Sequence, residues 1–490
     1  MGCKSSKLED LKPETTYLSL CFLGSDTVVV LHGDPETWKK ITRSLERWAP
    51  GGVDSTEIRG CWIQIRLRVN LLSDGKNDKK QIIIQQMMCS LVNELYENGW
   101  QLDVYSVLSC DERINSLFFR RNSVKLDSPP QPIVSCLSRN KSDKLFVHSD
   151  NEVIISQVRQ TLNEMGWTEK DNVQYHGRSC REFLFDSQTW SDHHKAEKAS
   201  LSRRIHKNLI RDLYKHGYTF CGNLMIKGKG DNIYFAPTEK SQEELECSEF
   251  FVLSLHSTDT VRLIDATQDA VDVVNDCLTT HWKSGINIVK RSEEGRIVEL
   301  QLRNKPWFCF DEDHTRASVL VVRLLHSLLS NGWEVHCTLD VSHRPTENAV
   351  FVMKSCKPEQ WRYMCLTPFS IDILKLINAP EEVARVMAKT IKRNWLPSNP
   401  KMRSIEEGAY QLVFQQGEPW VNPGLMIKNV MLKLLIVLHQ LGWVVVACAN
   451  TSVTTREGQW AADSWFLNLP DPERRKQSEP IISIHRARLM

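Results

Sequence analysis

Apolar positions along the chain follow two periods that alternate in a fixed order. Residues 18–23 and 28–31 are apolar runs of strand length. A helix is then predicted to run to Trp48. Asp34 supplies the N-cap acceptor, Pro35 suits the first helical position, and Glu36 faces the positive helix end. After Gly51-Gly52 and Gly60, the residues Ile63, Ile65, Leu67 and Val69 alternate with Gln64, Arg66, Arg68 and Asn70. Strict alternation of this kind marks an antiparallel strand with one buried face. A second helix over 80–98 closes at Gly99, the usual residue after a helix end, and strands over 100–108 and 117–120 complete the unit.

The same order returns three times. Trp48, Gly60 and Gly99-Trp100 correspond to Trp167, Gly177 and Gly217-Tyr218, then to Trp282, Gly295 and Gly332-Trp333, then to Trp395, Gly408 and Gly442-Trp443. Within each copy the two aromatics keep nearly the same spacing. Pro306-Trp307 and Pro419-Trp420 precede the second helix in the last two copies, with Trp190 and Leu72 in that slot earlier. The unit reads β-β-α-β-β-α-β-β. The fold class expected is α+β: four tandem ferredoxin-like sandwiches, each with two helices on one face of an antiparallel sheet and extra strands at its edges. A period of about 115 residues is far beyond the 20–50 of solenoids, so each copy is expected to be a bead that folds largely alone. The divisions are an anchor and spacer over 1–16, repeats over 17–128, 129–243, 244–358 and 359–473, and a basic tail over 474–490.

The longest apolar stretch, 430–449, is interrupted by Lys433, His439, Gln440 and Gly442. It lies where other copies have a helix, a turn and a strand, so a core helix is expected rather than a membrane span. The 62 basic and 60 acidic residues give a net charge of only +2, which argues against a dedicated nucleic-acid binder. The 15 cysteines are scattered without any CxxC pair, so zinc and thioredoxin spacings are absent and reduced thiols are expected.

The chain opens Met1-Gly2-Cys3-Lys4-Ser5-Ser6-Lys7. Gly2 followed by Ser6 matches the N-myristoylation pattern, and Cys3 stands where a palmitoyl group would join it. One myristoyl chain binds a bilayer with K of only about 10⁴ M⁻¹, so the second acyl group matters. Lys4 and Lys7 would add roughly 1 kcal/mol each at an anionic surface. The expected partners are membrane lipid, through the acyl chains, and proteins whose identity the residues do not give.

Catalytic signatures are missing: there is no G-x-S-x-G, H-E-x-x-H or G-x-G-x-x-G, and 228–231 reads as a turn rather than a phosphate loop. Asp192-His193-His194 is read as a solvated helix start, since neighbouring helical side chains point apart. No catalytic residue, metal ligand or cofactor is assigned. The repeated tryptophans are read as core, where their large area anchors helix to sheet. Two basic features remain. Lys195, Lys198, Arg203, Arg204, Lys207, Arg211 and Lys215 alternate with Leu201, Ile205, Leu209 and Leu213 at helical spacing. They form either an ordinary charged outer face or a patch for anionic lipid. Ser478 follows Arg474-Arg475-Lys476 and is a candidate basic-directed phosphosite.

The start Met1-Gly2-Cys3 with Lys7-Leu8-Glu9, and the segments Gly99-Trp100-Gln101-Leu102 and Leu117-Phe118-Phe119-Arg120-Arg121, resemble raftlins over a few dozen residues. That resemblance implies a doubly acylated protein of lipid rafts. The function expected is a non-enzymatic, lipid-anchored scaffold at the cytosolic membrane face, binding proteins or lipid headgroups. The alternative is an enzyme with an unfamiliar site acting on a membrane-associated substrate. An enzyme should carry a polar pocket in one copy that the others lack, whereas a scaffold should expose apolar or basic patches.

Overall fold

A computed structural model describes residues 16–70, 78–108, 116–121, 135–140, 144–149, 151–175, 178–184, 196–223, 232–238, 240–308, 312–339, 347–395, 400–406, 408–420, 424–451 and 462–471. Module 1 runs β1 (Tyr17–Leu23), β2 (Thr27–His32), α1 (Pro35–Trp48), β3 (Val53–Arg59), β4 (Trp62–Leu67), α2 (Asp78–Glu97), β5 (Trp100–Ser106) and β6 (Ser116–Arg121). Module 2 repeats this as β7 (Ser135–Asn140), β8 (Lys144–His148), α3 (Glu152–Glu164), β9 (Thr168–Tyr175), β10 (Arg178–Leu184), α4 (Ala196–Lys215), β11 (Tyr218–Asn223) and β12 (Asn232–Pro237). A short helix, α5 (Gln242–Glu246), leads into module 3: β13 (Phe250–His256), β14 (Thr260–Ile264), α6 (Gln268–His281), β15 (Ile286–Ser292), β16 (Ile297–Leu302), α7 (Glu312–Ser330), β17 (Trp333–Leu339) and β18 (Glu347–Ser355). Module 4 has β19 (Arg362–Phe369), β20 (Ile373–Ile377), α8 (Glu381–Asn394), β21 (Lys401–Glu406), β22 (Ala409–Val413), α9 (Leu425–Gln440), β23 (Val444–Ala449) and β24 (Ser464–Leu469).

Each module is one six-stranded antiparallel sheet with the strand order of module 1, β3-β4-β2-β1-β6-β5. The order has an internal logic. A central hairpin, β1-β2, is flanked on either side by one helix-plus-hairpin, α1-β3-β4 and α2-β5-β6. The first and last strands of the unit therefore occupy the middle of the sheet, not the edges where the sequence pattern had put them. Local signals act as read: Asp34 accepts from Thr37 N at 2.8 Å, with Pro35 behind it. Asn378-Ala379-Pro380-Glu381 differs, because Pro380 takes the cap position and offers no side-chain bond. Gly99, Gly217, Gly332 and Gly442 all have φ between +77° and +86°, the left-handed turn that releases the chain from its second helix.

The tryptophans are core. Trp100, Trp307 and Trp420 are fully buried, and the indoles of Trp307 and Trp420 donate to Thr260 O at 3.1 Å and Ile373 O at 2.9 Å, equivalent carbonyls of successive modules. Trp282 and Trp395 likewise donate to Arg303 O and Gln416 O at 2.9 and 3.0 Å.

The modules are not independent beads. Along β1, Leu18, Leu20 and Phe22 enter the core of module 1, while Tyr17 and Cys21 enter the core of module 4. Along β13, Phe251, Leu253 and Leu255 face their own helices, and Phe250 and Val252 join the core of module 2. Tyr363 and Cys365 of β19 join module 3 in the same way. The cover on this second face is the second helix of the preceding module: α2 on β7, α4 on β13, α7 on β19 and, returning to the start, α9 on β1. Four modules thus close into a ring. Strands β5, β11, β17 and β23 meet their neighbours in turn around its centre. Tyr105 reaches from module 1 to module 3, where its hydroxyl donates to Thr338 O at 3.0 Å, and Thr338 Oγ1 donates to Cys448 O at 2.9 Å. A Cβ on Gly222 would stand 2.2 Å from Leu102 Cδ2, so a larger residue there would have to push the Leu102 side chain aside where β11 approaches β5.

The two buried faces also explain the membrane-like stretch. In α9 Val430, Met431, Leu432, Leu434, Leu435, Ile436 and Leu438 are all buried, because the helix is sandwiched between two sheets. Among the described residues no helix is long and apolar enough to cross a membrane.

Deleting residues 359–490 should expose Tyr17, Cys21 and Phe118 along with the outer face of α7. The truncated chain is expected to bind a hydrophobic dye and to self-associate. Monomeric behaviour with an unchanged urea midpoint would instead show the modules to be independent.

Candidate functional site

Gly2, Cys3, Lys4, Lys7, Lys195 and Ser478 lie outside the described residues, as do Asp192-His193-His194 and residues 228–231, and the Lys198 side chain does too. The rest of the predicted basic patch is corrected by the structure. Arg203 is 1% exposed, and Arg204 and Lys207 turn into the joint between α4 and the third sheet. There Lys207 Nζ stands 2.6 Å and Arg204 Nε 3.2 Å from Asp265 Oδ2, and Arg204 Nη1 is 2.7 Å from Glu293. Burial pulls the Lys207 ammonium below the usual lysine range, opposed by Asp265. Arg211 pairs with Asp212 at 2.6 Å, and Lys215 is half-buried. A helix with one buried stripe would have shown these cations to solvent; this one has two buried stripes.

Asp265 also shapes its own turn. It has φ +54°, and the equivalent residues His32 and Asn378 have φ +62° and +56°. Asp, Asn and His are the non-glycine residues that tolerate this left-handed conformation best. His32 then donates from Nε2 to Asn429 Oδ1 at 2.8 Å, in the same place where Asp265 meets Arg204. Each joint is closed by a different pair of side chains on one shared frame. Asp265→Ala should leave the buried Lys207 ammonium without its carboxylate, while Arg204 keeps Glu293, and cost about 3–5 kcal/mol, read as a lower urea midpoint.

A β-bulge recurs three residues after each closing aromatic, between Leu102/Val104, Phe220/Gly222, Val335/Cys337 and Val445/Ala447. The bulged residues are Asp103, Cys221, His336 and Val446. Each lies at the joint with the preceding module's second helix, whose residue four before the aromatic is His439, Tyr96, Tyr214 or Leu329. Tyr96 bonds Cys221, whose thiol is pushed up to about 12 by burial. Tyr214 meets His336 edge-on at 5.3 Å, Leu329 and Val446 share an apolar core, and Arg120 Nη1 donates to His439 Nε2 at 2.7 Å, close to Asp103.

Two of these joints hold buried imidazoles. Burial, with Lys354 and Lys240 adding to it, holds His336 well below the usual histidine value. His314, beside the Phe369 ring at 4.9 Å, is lowered to about 3 by burial and by Lys375. Lys375 itself lies 3.5 Å from the centre of that ring and donates to Thr315 Oγ1 at 3.2 Å. Both imidazoles bind protons less readily folded than unfolded, so the unfolded chain gains protons first as pH drops. Stability is therefore full above about pH 6.5 and falls with acid below it for both, and for His314 the loss runs toward pH 3 at about 1.4 kcal/mol per pH unit. Urea midpoints across this range should fall with acid, and His314→Gln should flatten the slope.

The third module carries a pocket on the sheet face away from its own helices. It measures about 340 Å³ and is lined by His256, Ser257, Asp259, Thr260, Arg262, Ile288, Lys290, Glu299 and Gln301. Asp259 is a turn residue: it accepts from Thr260 Oγ1 at 2.9 Å and Gln301 Nε2 at 3.0 Å, much as Asp26 accepts from Thr27 and Arg66 in module 1. Arg262 and its pairing with Glu299 are particular to this copy, although module 2 also has a glutamate, Glu182, at the second position. The register puts Val29 and Gln64, Phe146 and Glu182, and Lys375 and Gln411 in their places. Sequence reading passed over them, although Arg262 interrupts the apolar run Val261-Arg262-Leu263-Ile264. Among the described residues no group of His, Cys, Asp and Glu is arranged to hold a metal ion.

No curated protein matches the chain. A family model for an uncharacterised domain matches it four times, over residues 16–120, 134–242, 249–354 and 362–468. The four matches coincide with the four sheets, and the chain belongs to this domain family as a tandem array of four copies.

Proposed function

We propose that the chain is a lipid-anchored, non-enzymatic scaffold at the cytosolic membrane face, raftlin-like in its acylated start and built of elaborated ferredoxin-like modules. The observation that carries this reading is the ring itself. Its interior contacts serve assembly, and among the described residues the outer strands β3, β9, β15 and β21 each pair on one side only. The edges β3, β15 and β21 present apolar side chains, with Ile58 65%, Val289 52% and Ile405 36% exposed. Charges interleave with them: Glu57 and Arg59 on β3, Lys290 and Arg291 on β15, Arg403 on β21. Such charges discourage indiscriminate pairing but leave room for an extended peptide that adds a strand. Acyl groups on Gly2 and Cys3 would hold the ring at the bilayer and raise the effective concentration of weak edge contacts there. Lys4 and Lys7 would sit against anionic headgroups. Ser478 phosphorylation would add nearly two negative charges to the basic tail.

One observation favours the enzyme reading as well: among the described residues the buried Arg262–Glu299 pair occurs in one copy. A substrate at the membrane would then meet a single active module among structural ones.

Metabolic labelling with a clickable myristate analogue tests the anchor. Wild type should take label and sediment with membranes, and Gly2→Ala should lose both. An unlabelled, freely soluble wild type would remove the membrane part of the proposal.

A further inference from the structure

The pocket on the third sheet has an unusual balance of spent and unspent donors. Arg262 is 1% exposed, and two of its nitrogens are committed to one carboxylate oxygen: Nε at 2.8 Å and Nη2 at 2.7 Å from Glu299 Oε1. Its third nitrogen, Nη1, is buried and has no hydrogen-bond partner among the described residues. On the neighbouring strand directly opposite Arg262, Ser254 also buries a hydroxyl that has no partner among the described residues. Lys290 is the cross-strand neighbour of Glu299, is exposed, and makes no ion pair among the described residues. The acids beside these donors are already engaged, Glu299 by Arg262 and Asp259 by Thr260 and Gln301.

A guanidinium nitrogen withdrawn from water without an acceptor is costly, and more so than a neutral group because it is charged. Evolution can tolerate that cost in a joint where every polar atom is walled in. Here the cation instead lines a cavity of about 340 Å³, within the size range of small-molecule sites. We infer that this pocket binds a small molecule through an oxyanion, a phosphate or carboxylate group, held by Arg262 with Lys290 at the mouth. Guanidinium suits such a group because its planar donors match two oxygens at once. The comparison with module 4 sharpens the point. Lys375 occupies the position of Arg262, but its ammonium is taken up by Thr315 and the Phe369 face, whereas Arg262 Nη1 is left without a partner among the described residues, in a side chain that lines the pocket. The inference does not depend on the lipid anchor, since it rests on module 3 alone.

The test uses the full, unacylated chain. Inorganic phosphate is titrated at constant ionic strength, with chloride as control, and the midpoint of thermal unfolding is followed. The midpoint should rise saturably with phosphate and not with chloride. Lys290→Ala, an exposed change expected to keep the unliganded midpoint, should weaken phosphate about tenfold or more, the worth of a charge-assisted bond. Arg262→Lys keeps the charge and loses the fork, and should weaken it too. Sedimentation with vesicles containing a phosphorylated inositol lipid separates the sources: dependence on Lys290 and Arg262 there, with no response to free phosphate, assigns the oxyanion to a lipid headgroup. If neither phosphate nor vesicles bind, or if both variants bind as wild type does, the inference is overturned.

Discussion

The constraint on which this structure depends is a sheet with two apolar faces. An antiparallel sheet commonly keeps one face for water, and its strands then alternate apolar with polar residues. Strands β1, β13 and β19 do not: both the odd and the even positions are buried, one set under the module's own helices and the other under a neighbour's. Two helices can cover only one face, so every module needs a third helix from outside. The second helix of each module meets that need by serving two sheets at once. In an open row, the first sheet and the last helix would each keep a bare apolar surface. Solenoids solve the same difficulty with polar capping repeats; this chain solves it by docking α9 on β1, which leaves no end to cap.

Closure sets a second requirement, that each module find its proper neighbour. Tandem copies of one fold are prone to misassembly because any second helix can lie on any sheet. The joints differ chemically where the backbone frame is the same. Lys207 and Arg204 need Asp265, His32 needs Asn429, and Lys428 reaches Ser116 at 2.9 Å. A wrong pairing would bury Lys207 against His32 or Asn378, leaving a cation without its carboxylate. Such mismatches cost more than the correct pairs gain, and discrimination by penalty is an effective form of specificity. This accounts for the scatter of buried charge in a protein whose net charge is nearly zero.

The element order, the fourfold repeat, the helix starts and the tryptophan core were legible because each depends on local period or on spacing along one copy. Ring closure was not, since it depends on which faces remain uncovered after a module folds. A signal was nonetheless present. The run Met431 to Leu438 in α9 is apolar apart from Lys433, as suits a helix between two sheets, and so too are Val319 to Leu325 of α7 apart from Arg323. The first helices α1 and α8 have a polar face and serve one sheet. The basic run of α4 misled for the same reason: alternation of Arg203 and Lys207 with Ile205 and Leu209 looks like one wet face and one dry, but charge also fills a joint when the partner strand supplies Asp265. The strand order was missed because hydrophobic pattern reports burial, not neighbours, and β1 and β6 would read alike at the edge or in the middle.

The allocation of polar groups then bears on where function can reside. The ring's axis is filled by Tyr105, Thr338 and their neighbours, and the joints absorb cations in proportion to the carboxylates, hydroxyls and rings that face them. A cation placed in an apolar strand is thus not itself a sign of a ligand. Lys375 shows the structural outcome, sealed between Phe369 and Thr315. Arg262 occupies the equivalent place and is only partly satisfied, beside open volume. Once the shared frame has been subtracted, the difference between two equivalent residues carries more information than either residue does alone. In a protein of repeated modules, each copy serves as the control for the others, and by that standard the face of the third sheet is where one copy has departed from what assembly requires.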